Sequence, residues 1–258
     1  MDRRDVTVVC CYNNLVQYSH LQEDLARQNV AYTLVGVDNR GQRYTSCAAA
    51  LNSAAEQIQT KYVIYAHQDI ELPDTDMLGK FVDYLTQTGE NDILGVAGAV
   101  EDLSKTAREH TCVLSKVRHG SGKEVAGERE YSGMVPCETV DECFFGGHAG
   151  FFLEHPFDEV LCDNWHLYGV ERCMYTRAAG NHVYVCDVPL IHTSTGTIGH
   201  AYNAGFYQVA GHYAVEHTAA GTKKMEWLRT VCGSSRTDVL HRTLFYWKRE
   251  LLIRMNRY

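Results

Sequence analysis

Three short runs of apolar, largely β-branched residues recur in the first seventy positions, and each ends in polar side chains. They are VTVVCCYNN at 6–14, YTLVGVDNRG at 32–41 and KYVIYAHQD at 61–69. Helical spacing fills the gaps between them. Leu15, Tyr18, Leu21 and Leu25 mark a helix over about 15–28, and apolar residues at 47, 50, 51, 54, 55 and 58 form one face of a helix over 46–58. A further helix is predicted over 74–88 and a further strand over DILGVAGAV, 92–100. This order predicts an α/β fold with a mostly parallel central sheet flanked by helices. In such sheets the strands' carboxyl ends line the ligand crevice. Tyr12-Asn13, Asp38-Asn39 and Asp69 with Glu71 are therefore expected along one edge.

The pattern weakens over 101–136, which reads as a hairpin or loop over the site, or as a plain surface excursion. Strand character returns at Cys143–Phe145 and Gly150–Leu153. A helix follows over about 165–179, then a last strand, NHVYVCDVPLIH (181–192), ending in His192. Residues 197–258 read as largely helical. The net charge of −8 argues against a general nucleic-acid binder, which wants a basic face. The charged opening MDRRD does not suit a signal peptide, and no window reaches transmembrane length, so a cytoplasmic location is expected. The ten cysteines are scattered without a C-x-x-C pair and are expected to be reduced thiols.

Asp69 and Glu71 are two apart. In extended chain they would point the same way and could face one cation, Mg²⁺ or Mn²⁺. The alternative is a solvated strand end before a proline turn. His192 could add an imidazole to the same ion, or serve as a structural histidine. Asp163, His166 and Glu171 cluster near a predicted helix start, where one of them could act as a general base. His166 and Glu171 are about 140° apart on a regular helix, so they would not share a face. Asp163 or Asn164 could instead cap the helix.

Residues 6–100 resemble the nucleotide-binding half of family 2 glycosyltransferases with the GT-A fold. VTVVCCYNN is similar to their first strand and turn, LVGVDNRG to the second strand with its Asp-Asn, and AAALNSAAEQIQTKYVIYAHQDIEL to the helix and strand before their D-x-D metal motif. FDEVLCDNWHLYGVERCMYTRAAGNHVYVCDVPLIH is similar to their acceptor-side region, which closes on a metal-binding histidine. HQDIEL and CMYTRAAG stand closest to the branch of glycosyltransferase-like domains that includes a streptomycin-biosynthesis protein. The resemblance covers residues 5–195. It implies a GT-A domain over 1–195, with a nucleotide-binding half (1–100) and an acceptor-side half (101–195), and a helical C-terminal extension over 196–258.

The resemblance also implies roles. Tyr12, Asn13 and Asp38 would contact the base and ribose of a nucleotide-diphosphate sugar, with a UDP-type donor expected. Asn52 would lie near the donor and Asp141 near the sugar or acceptor. Asp69, Glu71 and His192 would hold Mn²⁺ or Mg²⁺. The chain departs from its relatives at two places. The metal motif reads Gln68-Asp69-Ile70-Glu71, and the Glu-Asp pair that relatives carry at the helix start falls on Tyr168-Gly169. The base would then be Glu171, His166 or Asp163. The expected activity is metal-assisted, inverting transfer of a sugar to the hydroxyl of a sugar, lipid-linked or small-molecule acceptor. A non-catalytic binding protein of the same fold is the alternative. A nucleotidyltransferase would want a glycine-rich basic loop after the first strand, which CCYNNLVQ lacks. Over 241–258, apolar Leu244, Trp247, Leu251 and Met255 alternate with basic residues. This suits peripheral contact with a membrane, or docking on the core or on a second subunit.

Overall fold

The structure is a computed structural model and describes residues 5–101, 111–120, 124–194, 199–213 and 236–255. In chain order the first half holds β1 (Val6–Tyr12), α1 (Leu15–Ala26), β2 (Tyr32–Asp38), α2 (Cys47–Asn52), β3 (Tyr62–Ala66), β4 (Ile70–Glu71), α3 (Met77–Leu85), β5 (Ile93–Gly95), β6 (Ala97–Glu101) and β7 (Thr111–Ser115). The second half holds β8 (Arg118–His119), β9 (Glu124–Val125), β10 (Met134–Pro136), β11 (Thr139–Val140), β12 (Phe144–His148), α4 (Ala149–Glu154), α5 (Tyr168–Ala178), β13 (Val183–Cys186), β14 (Ile191–His192), α6 (His200–His212) and α7 (Arg236–Arg254).

The central sheet has seven strands in the order β10-β13-β5-β12-β3-β1-β2. Strands β1, β2, β3, β5 and β13 run one way, and β12 and β10 run against them. The sheet is thus mostly parallel, as the alternation predicts. β12 fits between β3 and β5 only because it carries glycine: a Cβ on Gly146 would lie 2.1 Å from the Val63 carbonyl oxygen. Apolar side chains fill both faces. Val8, Leu21, Ile64, Phe81 and Phe144 lie in one buried cluster, and Val9, Leu51, Tyr65, Phe145 and Phe152 in the other. Burying each such side chain stabilises the fold by about 1.5–3 kcal/mol. Tyr202, Phe206 and Val209 of α6 and Phe245 of α7 join the second cluster, so both helices pack on the same core as the sheet.

Local chemistry explains where the elements differ from expectation. Asn14 caps α1, its side chain accepting from the N–H groups of Val16 and Gln17. The predicted helix over 46–58 stops at Asn52 and resumes as a 3-10 turn at Ala55–Gln57. Here the Ser53 hydroxyl donates to Ala50 O at 2.7 Å and competes for a helical carbonyl. The single strand expected over 92–100 breaks at Val96, whose carbonyl accepts from the Ser115 hydroxyl, and β5 and β6 enter different sheets. Gly150–Leu153, expected as strand, is helical. Phe151 and Phe152 of α4 are both buried, and each packs its ring edge-on to other core aromatics. The strand expected over 181–192 also divides. Asp187 there accepts from Tyr84 and from Gly133 N, and Pro189 has no N–H to offer a ladder. Within 101–136, β6 and β7 form an antiparallel pair and β8 joins β14, while 102–110 and 121–123 lie outside the described residues. All described cysteines carry free thiols. No helix among the described residues is long and apolar enough to cross a membrane.

Candidate active site

β1, β2 and β3 end side by side, and the residues beyond them border a crevice of about 200 Å³. Tyr12, Asn13, Asn39, Gln68 and Asp69 come from the strand ends, and Trp165 and Tyr168 close the opposite side. The edge is tied together by Gln68. Its side-chain oxygen accepts from the N–H groups of both Asn13 and Asn14 at 2.9 Å, and its nitrogen donates to the Asn13 side chain at 2.8 Å. The turn after β3 is thus pinned to the turn after β1.

His192 reaches this edge through backbone pairing. β14 runs antiparallel to β4, with His192 opposite Ile70, and Thr193 N donates to Asp69 O at 3.0 Å. His192 Nε2 then lies 3.4 Å from Asp69 Oδ1, and His67 Nδ1 lies 3.9 Å from the same oxygen. Donor atoms of His67, Asp69 and His192 all fall within 4.8 Å of one another. Ligands sharing one ion at bonds of about 2.1 Å stand roughly 3–4 Å apart, a range that holds the 3.4 and 3.9 Å separations from Asp69, so the three could close on a cation with a small shift of one ring. The buried Nδ1 of His192 has no hydrogen-bond partner, which leaves that ring short of a polar contact on its second nitrogen.

Glu71 is outside this group. Gln68 and Asp69 form a turn rather than extended chain, so the same-side rule for i and i+2 does not apply. Glu71 lies two residues past the turn pair, in β4 opposite Ile191. His67, which the sequence reading left out of the metal set, stands closer. Its Nε2 pairs with the Tyr168 hydroxyl at 3.0 Å, and this turns Nδ1 toward Asp69. The Cys47 thiol in turn contacts that hydroxyl.

Electrostatics follow the geometry. Burial alone would raise the Asp69 carboxyl, but His192, His67 and Ser194 hold it well below the usual carboxylate range. Burial opposes a charged His192, yet the contact with Asp69 and the charge of Asp141 lift it above its ordinary value. His67 is pushed down, by burial first and then by His192. Asp141 acts on both histidines while its carboxylate also accepts from Cys143 N at 2.8 Å.

The helix expected from 165 starts at Tyr168, because Leu167 takes a left-handed backbone (φ 69°) just before it. Asp163 does not cap it. Asp163 is exposed and accepts from the Asn164 side chain. Gly169 N donates instead to Glu142 Oε1 at 3.1 Å, and a Cβ at Gly169 would lie 2.8 Å from Glu142 Cγ. Glu142 therefore fills the space that a helix-start side chain would take. Burial, then the charge of Asp141, push its carboxyl upward. Glu171 is buried and turned inward: it accepts from the Tyr213 hydroxyl at 3.0 Å, and its other oxygen lies 3.9 Å from Arg172 without a hydrogen bond. His166 stands between Trp165 and Tyr168 in the chain, edge-on to the Tyr202 ring at 5.5 Å, and burial lowers its pKa.

The remaining expected residues are placed as follows. Tyr12 stacks flat on Tyr18 with ring centres 4.0 Å apart. Asp38 holds Arg40, and hydrogen bonds from Arg40 take its pKa down to about 2. The Asn52 amide is spent on the chain at 157–159: it donates to Phe157 O and Glu159 and accepts from Phe157 N, each at 2.9 Å. His67, Gln68, Trp165 and Tyr168 are site residues that sequence reasoning did not select. Only His67 and Gln68 carried a signal, their place beside Asp69 at a strand end.

A glycosyltransferase like family matches residues 7–209 of the chain. The chain belongs to that family. Solved structures with the same fold include TarS from S. aureus (TM-score 0.56, 13% identity, covering 96% of this chain and 74% of that one). They also include the mannosyltransferase PcManGT from Pyrobaculum calidifontis in complex with GDP-Man and Mn²⁺ (0.51, 13%, 94% and 69%). GalNAc-T7 with UDP, GalNAc and Mn²⁺ aligns at 0.50 and 12% identity, over 80% of this chain and 47% of its own. The fold of this family member is therefore GT-A. A curated relative from Fuscovulum blasticum, described as ATP synthase subunits region ORF 6, is 29% identical over 137 residues. The match takes in 51% of each chain, so this chain spans about half the length of that relative.

Proposed function

We propose that the chain transfers a sugar from a nucleotide-diphosphate sugar to an acceptor hydroxyl. The observation that carries this reading is the group of His67, Asp69 and His192 at the strand-end crevice of a GT-A fold. Two imidazoles and a carboxylate suit Mn²⁺ somewhat better than Mg²⁺, which prefers an all-oxygen shell. Structures of the same fold that were solved with UDP or GDP-Man and Mn²⁺ support the same choice. A bound divalent cation would neutralise charge on the leaving diphosphate. The chain's own residues supply the rest. Tyr12, Asn13 and Asp38 would hold the base and ribose, with a UDP-type donor expected. Asp141, whose field already reaches both histidines, would face the sugar.

His166 is the best of the three candidate bases. Glu171 is turned into the protein, and Asp163 stands exposed on the loop. His166 lies between two residues that border the crevice, and its lowered pKa keeps the imidazole neutral and able to accept a proton near pH 7. Attack on the anomeric carbon by an acceptor hydroxyl that His166 deprotonates, in a single displacement, would invert configuration. The anomer of the product, read by NMR, checks this. Nearness to the streptomycin-biosynthesis branch, and a sugar, lipid-linked or small-molecule acceptor, belong to the same proposal.

Gly169 favours a second reading, a binding protein without turnover, because the start of α5 carries no carboxylate of its own at this position. Calorimetric titration with UDP and GDP, with and without Mn²⁺, tests what both readings share. Binding strengthened by Mn²⁺ is expected, and no binding of any nucleoside diphosphate contradicts both. Donor turnover then separates them.

A further inference from the structure

Among the described residues, α7 packs one face on the core and exposes the other. Phe245 and Arg249 point inward, and the Arg249 guanidinium lies over the rings of Tyr202, Phe206 and Phe245 at 5.3, 5.0 and 5.1 Å. The outer face carries Leu240, Leu244, Trp247, Leu251 and, just past the helix, Met255. Their exposures are 55%, 57%, 59%, 59% and 45%. At 100° per residue these five span an arc of about 80°, in a row roughly 22 Å long. Lys248 and Arg254, both exposed, fall about 20° beyond either border of that arc. Single exposed apolar residues are ordinary, but an unbroken row of five marks an interaction surface.

Charge indicates the occupant. The last 23 residues hold six of the chain's 24 Lys and Arg but only two of its 32 Asp and Glu. The helix region is cationic and the remainder strongly acidic. A second copy laid on this face about a two-fold axis would set one cationic border of α7 against another, an arrangement penalised by like-charge repulsion. An anionic surface would attract the α7 face and repel the acidic body, which fixes the orientation. Apolar side chains flanked on both borders by long cationic ones match a helix lying in a lipid interface, with the cationic heads reaching the phosphates. From these observations we infer that the outer face of α7 docks the protein on an anionic lipid bilayer. The inference does not rest on sugar transfer and would hold for a non-catalytic chain.

Co-sedimentation of the full chain with vesicles decides it. One set is phosphatidylcholine alone, and the other contains phosphatidylcholine and phosphatidylglycerol in equal parts. The wild type is expected to pellet with the mixed vesicles, less so as salt is raised. Leu244→Gln/Leu251→Gln and, separately, Lys248→Gln/Arg254→Gln should each weaken this by about tenfold or more, and the first pair should leave the melting temperature unchanged because both leucines are exposed. Failure of the wild type to pellet with mixed vesicles overturns the proposal. So does pelleting that both variants retain. Light scattering that finds a dimer broken by Leu244→Gln/Leu251→Gln, without vesicle binding, would show instead that a second copy covers the face.

Discussion

Tyr168→Phe removes one hydroxyl and tests how the crevice aims His67. That hydroxyl lies 3.0 Å from His67 Nε2 at the crevice, where Tyr168 is buried and the His67 side chain is half-buried. Losing a partly solvated hydrogen bond of this kind costs about 0.5–1.5 kcal/mol of stability. For a chain of this length each kcal/mol lowers the melting temperature by about 2–4 °C, so a fall of roughly 2–4 °C is expected for a cost near 1 kcal/mol. The larger consequence is at Nδ1. Without its partner the imidazole can turn, and Nδ1 loses its fixed aim toward Asp69. Outer partners of metal-binding histidines are worth about 10–100-fold in metal affinity, or about 1.4–2.8 kcal/mol. The Mn²⁺ dissociation constant should therefore rise by roughly 30-fold, read from the EPR signal of free Mn²⁺ during titration. A variant that melts lower but binds Mn²⁺ within about twofold of wild type would refute the reasoning. Tyr168 would then be packing only, and His67 would not be a ligand.

Other outcomes follow from the same geometry. His166→Gln should lower kcat by about 10²–10⁴-fold. Because burial lowers the His166 pKa, wild-type kcat should hold down through pH 6.5 and fall only at more acid pH, and the variant should lose that acid limb. His192 is raised above its ordinary value, so protons compete with metal already near neutrality. Mn²⁺ affinity should decline steadily as pH falls through 7 and 6, whereas a pH-independent constant in that range would remove His192 from the ligand set. Gly146→Ala sets a methyl group 2.1 Å from the Val63 carbonyl oxygen inside the central sheet, and should cost more than about 3 kcal/mol in urea unfolding.

The order of strands and helices through residue 95, the mostly parallel sheet and the polar strand ends at one edge could be read from local periodicity. Period and spacing report which face of an element is buried, and that is what places Tyr12, Asn13, Asn39 and Asp69 around one crevice. What could not be read depends on contacts between distant parts of the chain. Pairing Glu71 with Asp69 requires extended backbone, and Gln68-Asp69 form a turn. His67 gains its place from Tyr168, 101 residues away, and nothing local marks that pairing. The inward turn of Glu171 depends on Tyr213, and the use of Asn52 depends on the loop at Phe157. The break at Val96 arises from a hydroxyl 19 residues later.

The most direct test of the account is donor turnover by the purified chain and by Asp69→Asn. Asparagine keeps the shape of residue 69 but removes the negative charge that both histidines face. Release of nucleoside diphosphate from a panel of UDP- and GDP-sugars would be followed with and without Mn²⁺. The account predicts Mn²⁺-dependent release by the wild type and a loss of about 10²-fold or more in the variant. Equal release by both proteins would contradict the role given to Asp69. No release from any donor, with nucleotide still bound, would contradict the transferase reading itself.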